Sequence, residues 1–134
     1  MPSDVSWLVE KRILYIHMYG FMTGQEIAAQ NKIMETYIQQ SEQLLHLISD
    51  STDMTGTNMG LRDLQKMQFA NVPNLGWSIY ISSRMMDRFF ATVITQLMKK
   101  RGREFATLEE GLRFLQEMDD TLPQLPAPNL LNLT

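Results

Sequence analysis

The chain has 134 residues, of which 44% are hydrophobic, and a formal net charge of −3. This length suits one domain whose core is large enough to be stable without disulfides or a structural metal. The net negative charge gives no basic surface to attract nucleic acid. The lack of cysteine excludes disulfides, thiolate metal sites and cysteine nucleophiles, and it fits a cytoplasmic protein. No apolar run of about 18 residues and no basic-then-apolar leader is present, so we expect neither a membrane span nor secretion.

The first forty residues predict two strands and a helix. Val5–Val9 alternates in the manner of a half-exposed edge strand, and Ile13–Tyr19 is a more apolar strand that ends at Gly20. The short charged link between them predicts an antiparallel hairpin. A capping box of Thr23 and Glu26 opens a helix that runs to about Gln40. The buried stripe of this helix is predicted on Ile27, Gln30, Ile33, Met34, Tyr37 and Ile38.

The stretch that follows is the centre of the predicted fold. Leu44–Asp50 is a short apolar run bounded by turn residues, which is typical of a strand buried in a parallel sheet. We predict a polar loop over Asp50–Asn58 and a second helix from about Met59. Since sites in open α/β sheets gather where strands end, this loop is the first candidate for a partner or ligand site. Its oxygen-bearing side chains are Asp50, Ser51, Asp53, Thr55, Thr57 and Asn58.

The remaining elements continue the alternation of strands and helices. They are a strand at Leu75–Ile81, a helix at Arg84–Lys100, a brief strand at Phe105, and a helix that a capping box at Thr107–Glu110 opens. This rhythm predicts one α/β domain at residues 1–120 with about five strands and four helices. The sheet should be mixed and mostly parallel after the opening hairpin. Residues 121–134 contain three prolines and are expected to form an extended tail.

The third predicted helix carries more apolar surface than packing on one sheet requires. At about 100° per residue its apolar side chains cover an arc of roughly 220°, whereas a helix on a sheet needs only about 100°. The surplus is covered by the proline-bearing tail, by a second subunit in a homodimer, or by a small apolar or lipid ligand. The residues concerned are Met85, Met86, Phe89, Phe90, Val93, Ile94, Leu97 and Met98.

Other candidates for chemistry are weaker. The Asp50/Asp53 pair lacks the spacing of a calcium loop, so we expect a satisfied turn and no metal. His17 and His46 fall in neighbouring predicted strands without an assured third ligand, and we expect histidines of the core or sheet face. The basic cluster Lys99–Arg103 suits the negative end of a helix dipole. We expect no enzyme activity and no cofactor.

In four places the chain resembles the STAS and SpoIIAA-like group, the anti-sigma-factor-antagonist fold to which CRAL-TRIO lipid-binding domains are related. These are the helix start at Gly20–Glu26, the strand Leu47–Asp50 that ends in aspartate, the pair Gly60-Leu61, and Phe105–Glu110 followed by Phe114-Leu115. The resemblance implies a SpoIIAA-like fold over about residues 5–118 and a regulatory role through protein contacts.

In antagonist members of that group a serine between an aspartate and Gly-Leu is phosphorylated. Here Asn58 or Met59 takes the serine's place and Thr57 the aspartate's, so the motif does not match. Thr55 and Thr57 remain the candidate phosphate acceptors, against the alternative that they only cap a helix. We therefore expect a non-enzymatic interaction domain that forms a homodimer, with a carrier of a small apolar or lipid ligand or a threonine-phosphorylated switch as alternatives.

Overall fold

The computed structural model describes residues 3–58, 74–82 and 102–123. These residues form five strands and two helices. In chain order the elements are β1 (Ser3–Val9), β2 (Ile13–Met22), α1 (Gly24–Gln39), β3 (Leu45–Thr57), β4 (Leu75–Ile81), β5 (Gly102–Phe105) and α2 (Leu108–Met118). The second and third predicted helices, with the candidate interface positions from Met85 to Met98, lie outside the described residues.

The strands form one sheet in the order β1-β2-β3-β4-β5. The β1–β2 pair is antiparallel and the other three pairs are parallel. The predicted α/β architecture, with an opening hairpin and a mostly parallel sheet, is therefore confirmed. The predicted bounds of β4 are also confirmed, because an apolar run between turn residues marks a buried strand at both ends.

Strands β2 and β3 extend well past their predicted ends, and β3 replaces the predicted loop. β2 does not end at Gly20, where φ is +66°, but continues to Met22. Glycine adopts this left-handed conformation at little cost, so the strand passes through an irregularity there. The extended part of β2 gives β3 a partner as far as the pair Met22–Thr57. The prediction of a loop at Asp50–Asn58 was therefore wrong, because the backbone of residues 50–57 is in the ladder.

Helix α1 begins as predicted. The Thr23 hydroxyl accepts from the Glu26 amide at 3.1 Å, and the Glu26 carboxylate accepts from the Thr23 amide at 2.9 Å. The buried stripe is narrower than predicted, since it consists of Ile27, Gln30, Met34 and Ile38. Ile33 and Tyr37 are exposed, and the Tyr37 ring instead lies edge-on against Trp7 of β1 at 5.5 Å.

Each face of the sheet has its own apolar cluster. On the face that α1 covers, the buried members are Leu14, Ile16, Met34, Ile38, Leu45 and Leu47. On the face that α2 covers, they are Ile13, Ile48, Ile79, Ile81, Leu112, Leu115 and Leu122. Fully burying one such side chain is worth about 1.5–3 kcal/mol, so both faces contribute to stability.

The last helix and the chain after it differ in detail from the prediction. The Thr107 hydroxyl accepts from the Glu110 amide at 3.2 Å, but the Glu110 carboxylate accepts from the Thr107 hydroxyl and not from its backbone amide. The predicted reciprocal box is thus only half formed. Beyond the helix, Leu122 is buried in the α2-face cluster, so the chain remains packed on the domain at the start of the predicted tail.

Candidate functional site

The candidate site lies where β2 and β3 project beyond their neighbours. β1 pairs with β2 as far as Met18, and β4 pairs with β3 as far as Asp50. Past these points the backbones of Tyr19–Met22 and Ser51–Thr57 pair with each other, and no other described strand pairs with them in the sheet. We call this two-stranded projection the β2–β3 ribbon. It contains the residues that the sequence analysis assigned to a loop, apart from Asp50 at its base and Asn58 at its end.

The side chains of the ribbon differ in exposure. Asp53 and Thr55 are exposed, Ser51 and Thr57 are half-buried, and Met54 is buried. Phe21, on the other strand, is 54% exposed, and its ring lies over Gly56, where an added Cβ would be 3.4 Å away. A projecting strand pair with an exposed aromatic ring and exposed carboxylate and hydroxyl groups is a surface that a partner protein can contact.

At the base of the ribbon, aromatic rings of β2 form a row on the α2 face. Alternate residues of a strand share a face, and here the rings of Tyr15 and His17 stack at 6.4 Å while those of His17 and Tyr19 are 5.5 Å apart. The sequence showed the alternation of these residues. It did not show that two carboxylates from β3 lie beside them.

The first of these carboxylates belongs to Asp50, which is 8% exposed. The Tyr15 hydroxyl donates to its Oδ2 at 2.5 Å, and the Thr52 amide donates to its Oδ1 at 2.9 Å. Burial of Tyr15, together with its hydrogen bond to Asp50 and the negative charge there, raises the pKa of the phenol above its ordinary value. The proton therefore stays on Tyr15, and Asp50 serves to fix the base of the ribbon.

The second carboxylate belongs to Asp53. Its Oδ2 lies 2.6 Å from His17 Nε2, and its side chain is largely exposed. A polar contact between side chains that is open to water contributes little to stability, typically about 0–1 kcal/mol. Asp53 is thus available for contact with a partner without a large cost to the fold.

The end of the ribbon is tied to the start of α1. Asn58 Oδ1 accepts from the Gly24 amide at 2.8 Å, which satisfies one of the free amides of the first helical turn. The Ser51 hydroxyl donates to the Ile81 carbonyl at 3.1 Å and connects the ribbon to β4. Of the predicted site residues, Asp50, Ser51 and Asn58 therefore have contacts that hold the ribbon in place, while the side chains of Asp53 and Thr55 are exposed.

His46 lies at the start of β3, at the end of the strand opposite to the ribbon, and is 1% exposed. The Trp77 amide donates to its Nδ1 at 2.9 Å, so Nδ1 carries no proton. The proton is on Nε2, which donates to Asp119 Oδ2 at 2.9 Å. His46 is therefore a neutral core histidine with both ring nitrogens engaged, in agreement with the sequence-based expectation.

Asp119 joins His46 to two further residues. Arg12 Nη2 donates to Asp119 Oδ2 at 2.8 Å and to the Thr121 hydroxyl at 2.9 Å. The Thr121 amide donates to Asp119 Oδ1 at 3.0 Å. Burial alone would raise the pKa of Asp119, but hydrogen bonds from Thr121 and His46 and the charge of Arg12 outweigh it and lower the pKa to about 2. This cluster fixes the end of α2 to the sheet, and no sequence signal pairs its members, which are up to 109 residues apart.

Within the residues that the structure describes, no group of three or more His, Asp or Glu side chains is arranged to hold a metal ion. None of the described helices combines the length and apolar character that crossing a bilayer requires. Of the basic cluster, Arg103 is described, and its guanidinium lies 5.1 Å from the centre of the Trp77 ring. That position suits a cation–π contact on the α2 face.

No protein-family model matches the chain, and no curated protein matches its sequence significantly. Solved structures do match its fold. An uncharacterised protein of the DUF3478 family with a SpoIIAA-like fold, from Shewanella loihica PV-4, is 13% identical with a TM-score of 0.59, and the match covers 84% of this chain and 91% of that one. The anti-sigma factor antagonist SpoIIAA in its unphosphorylated form is 14% identical with a TM-score of 0.57, over 85% of this chain and 97% of that one. The chain therefore has a STAS/SpoIIAA-like fold, as the sequence resemblance implied.

Proposed function

We propose that this protein is a non-enzymatic regulatory domain of STAS type that acts in the cytoplasm through protein contacts. The observation that carries the proposal is the β2–β3 ribbon, which projects past the paired part of the sheet and presents Phe21, Asp53 and Thr55 to solvent. The apolar positions of the predicted helix at 84–100 would supply the second part of the partner surface. The similarity to an anti-sigma factor antagonist supports a protein as the partner.

The chemistry of the ribbon favours a partner with a basic and partly apolar surface. Asp53 supplies an exposed negative charge, and the acidic balance of the whole chain has the same sign. Complementary charge raises the rate of encounter and fixes the register of a complex, while an exposed aromatic ring such as Phe21 supplies contact area. Replacing Phe21 by a small residue should therefore speed dissociation of the complex. Reversing the charge at position 53 should slow its association.

Photo-crosslinking in the cells from which the sequence derives tests this proposal. A photoreactive residue at Thr55 should capture one defined protein partner, and Asp53→Lys in the same chain should abolish the captured band. The matched control places the same photoreactive residue at Glu117, an exposed position on α2. Equal capture from both positions, or a band from Thr55 that survives D53K and Phe21→Ala, would contradict the proposed surface.

A phosphorylated threonine would turn the ribbon into a switch. Thr55 is exposed on an extended backbone, while Thr57 is half-buried and takes part in a further contact. A phosphate at Thr55 would add a charge of about −1.5 to −2 close to Asp53, and this repels an acidic partner and strengthens binding to a basic one. Thr55→Ala should remove phosphate incorporation more completely than Thr57→Ala. Unchanged incorporation and unchanged partner binding in the double variant would exclude the switch.

A carrier of a small ligand is the second candidate function, and buried polar groups on the α1 face favour it. Gln30 and Ser78 are each 2% exposed, and among the residues that the structure describes neither Gln30 Nε2 nor Ser78 Oγ has a hydrogen-bond partner. Since buried polar atoms are normally satisfied, a bound molecule with a polar group is one explanation. A native mass spectrum of the full chain separates the two functions. An added small mass that Gln30→Met removes supports the carrier, and a spectrum of the bare chain supports the interaction domain.

A further inference from the structure

Strand β1 forms an edge of the sheet, since it pairs with β2 and with no other described strand. Natural proteins protect such edges with proline, lysine, very short strands or bulges. The seven residues Ser3–Val9 contain no proline or lysine and only one charge, that of Asp4. A register shift between Trp7 and Val9 interrupts only the end of the strand. The edge is therefore a template for an added strand.

The sequence of β1 is complementary to itself when two copies pair in antiparallel fashion about Ser6, its central residue. Such pairing places Ser6 opposite Ser6 of the second copy and Val5 opposite Trp7. A β-branched residue opposite an aromatic ring is a favourable cross-strand pair. Asp4 falls opposite Leu8, so the register brings no like charges together.

The surface beside the edge suits the same pairing. A groove of about 330 Å³ opens next to β1, between the strand and the end of α1. Trp7 and Tyr37 form its aromatic part, in edge-to-face contact with each other. Val5 of a second copy would lie against the half-buried Trp7 ring at the rim of this groove. Lys11 and Glu42 line the groove with opposite charges, so it does not repel an identical copy.

We infer that β1 is a homodimerisation edge, at which two copies of this chain join their sheets into a single ten-stranded sheet. A two-fold axis through Ser6 gives a closed assembly in which each copy contributes the same surface. This interface lies on β1, whereas the proposed partner surface lies on the β2–β3 ribbon. The dimer therefore goes beyond the proposed function and does not depend on it.

Charge substitutions at Ser6 test the interface by light scattering on the full chain. Ser6 is half-buried and lies beside Tyr15 of β2. Ser6→Lys and Ser6→Glu should each lower the apparent molar mass two-fold, because like charges then meet on the axis. An equimolar mixture of the two variants should restore the dimer. Thr36→Lys, at an exposed position on α1, should leave the dimer unchanged.

Disulfide trapping provides a test that does not require a charge in the edge. Because the natural chain has no cysteine, any covalent dimer must come from the introduced residue. Ser6→Cys should form a covalent dimer under oxidation. Asp4→Cys should not, since the two copies of position 4 would lie about 13 Å apart in this register. A monomeric wild-type chain, or equal trapping from the two positions, would overturn the inference. Either result would leave crosslinking from Thr55 unaffected.

Discussion

Replacing Asp119 by asparagine tests the cluster that joins α2 to the sheet. The carboxylate accepts hydrogen bonds from Arg12, from His46 and from the Thr121 amide. An asparagine of nearly the same shape has one oxygen in place of two, and its amide group would face N–H donors. The substitution therefore removes the charge and leaves at least one buried donor without an acceptor.

The expected loss in the free energy of unfolding follows from the pKa of Asp119. The folded protein lowers this pKa from its ordinary 3.8 to about 2, and each pKa unit corresponds to about 1.4 kcal/mol, so the charged form stabilises the fold by about 2 kcal/mol at about pH 7. An unsatisfied buried donor costs about 1–3 kcal/mol, and the stabilisation obtained from the pKa shift already includes part of this cost. We expect Asp119→Asn to lower the free energy of unfolding by about 2–4 kcal/mol.

The pH dependence of this loss gives the sharper measurement. Because the folded-state pKa is the lower one, the stabilisation is complete above the unfolded pKa and disappears as pH falls from about 5 to about 1. Urea unfolding of both proteins should therefore show a difference that shrinks progressively below about pH 5. Glu109→Gln breaks the exposed Glu109–Arg113 pair and should change the stability by less than about 0.5 kcal/mol. A difference between wild type and D119N that stays constant with pH would refute the assigned role of the charge.

Two further substitutions test the packing around His46 and Asp50. Gly76→Ala would place a Cβ 2.7 Å from His46 Cε1 and should lower the free energy of unfolding, measured in urea, by about 1–3 kcal/mol. If G76A and Gly56→Ala were equally stable, the His46 ring would have room to move and this prediction would be wrong. Tyr15→Phe leaves Asp50 Oδ2 without its donor and should cost about 1–3 kcal/mol, whereas Tyr37→Phe should be nearly neutral. Equal effects of the two tyrosine substitutions would contradict the Tyr15–Asp50 contact.

Local signals predicted the elements whose structure is determined by neighbouring residues. The capping box at Thr23 and Glu26 lies within four residues, and the reciprocal hydrogen bonds formed as expected. The run Leu75–Ile81 is apolar between turn residues and became β4 with the predicted bounds. In both cases the residues that determine the structure are adjacent in the chain, so the pattern is visible in the sequence.

The ribbon could not be predicted in this way. Residues 51–57 contain Asp53 and Gly56, two residue types that disfavour strands, and the sequence analysis assigned this segment to a loop. Backbone hydrogen bonds to the continuation of β2 past Gly20 overrode that preference. The pairing joins residues more than thirty positions apart, as in Met22–Thr57. A propensity of a few tenths of a kcal/mol per residue does not reveal whether such a partner strand is present.

The amino-acid sequence by itself determined the class of fold, the succession of its strands along the chain and the start of its first helix, because hydrophobic periodicity and capping act over a few residues. The tertiary structure alone decided that polar residues after Asp50 extend a strand, that Tyr15 holds Asp50, and that His46 meets Asp119. These contacts depend on which distant segments lie side by side. That arrangement is set by packing of the whole sheet, which no local pattern in the chain encodes.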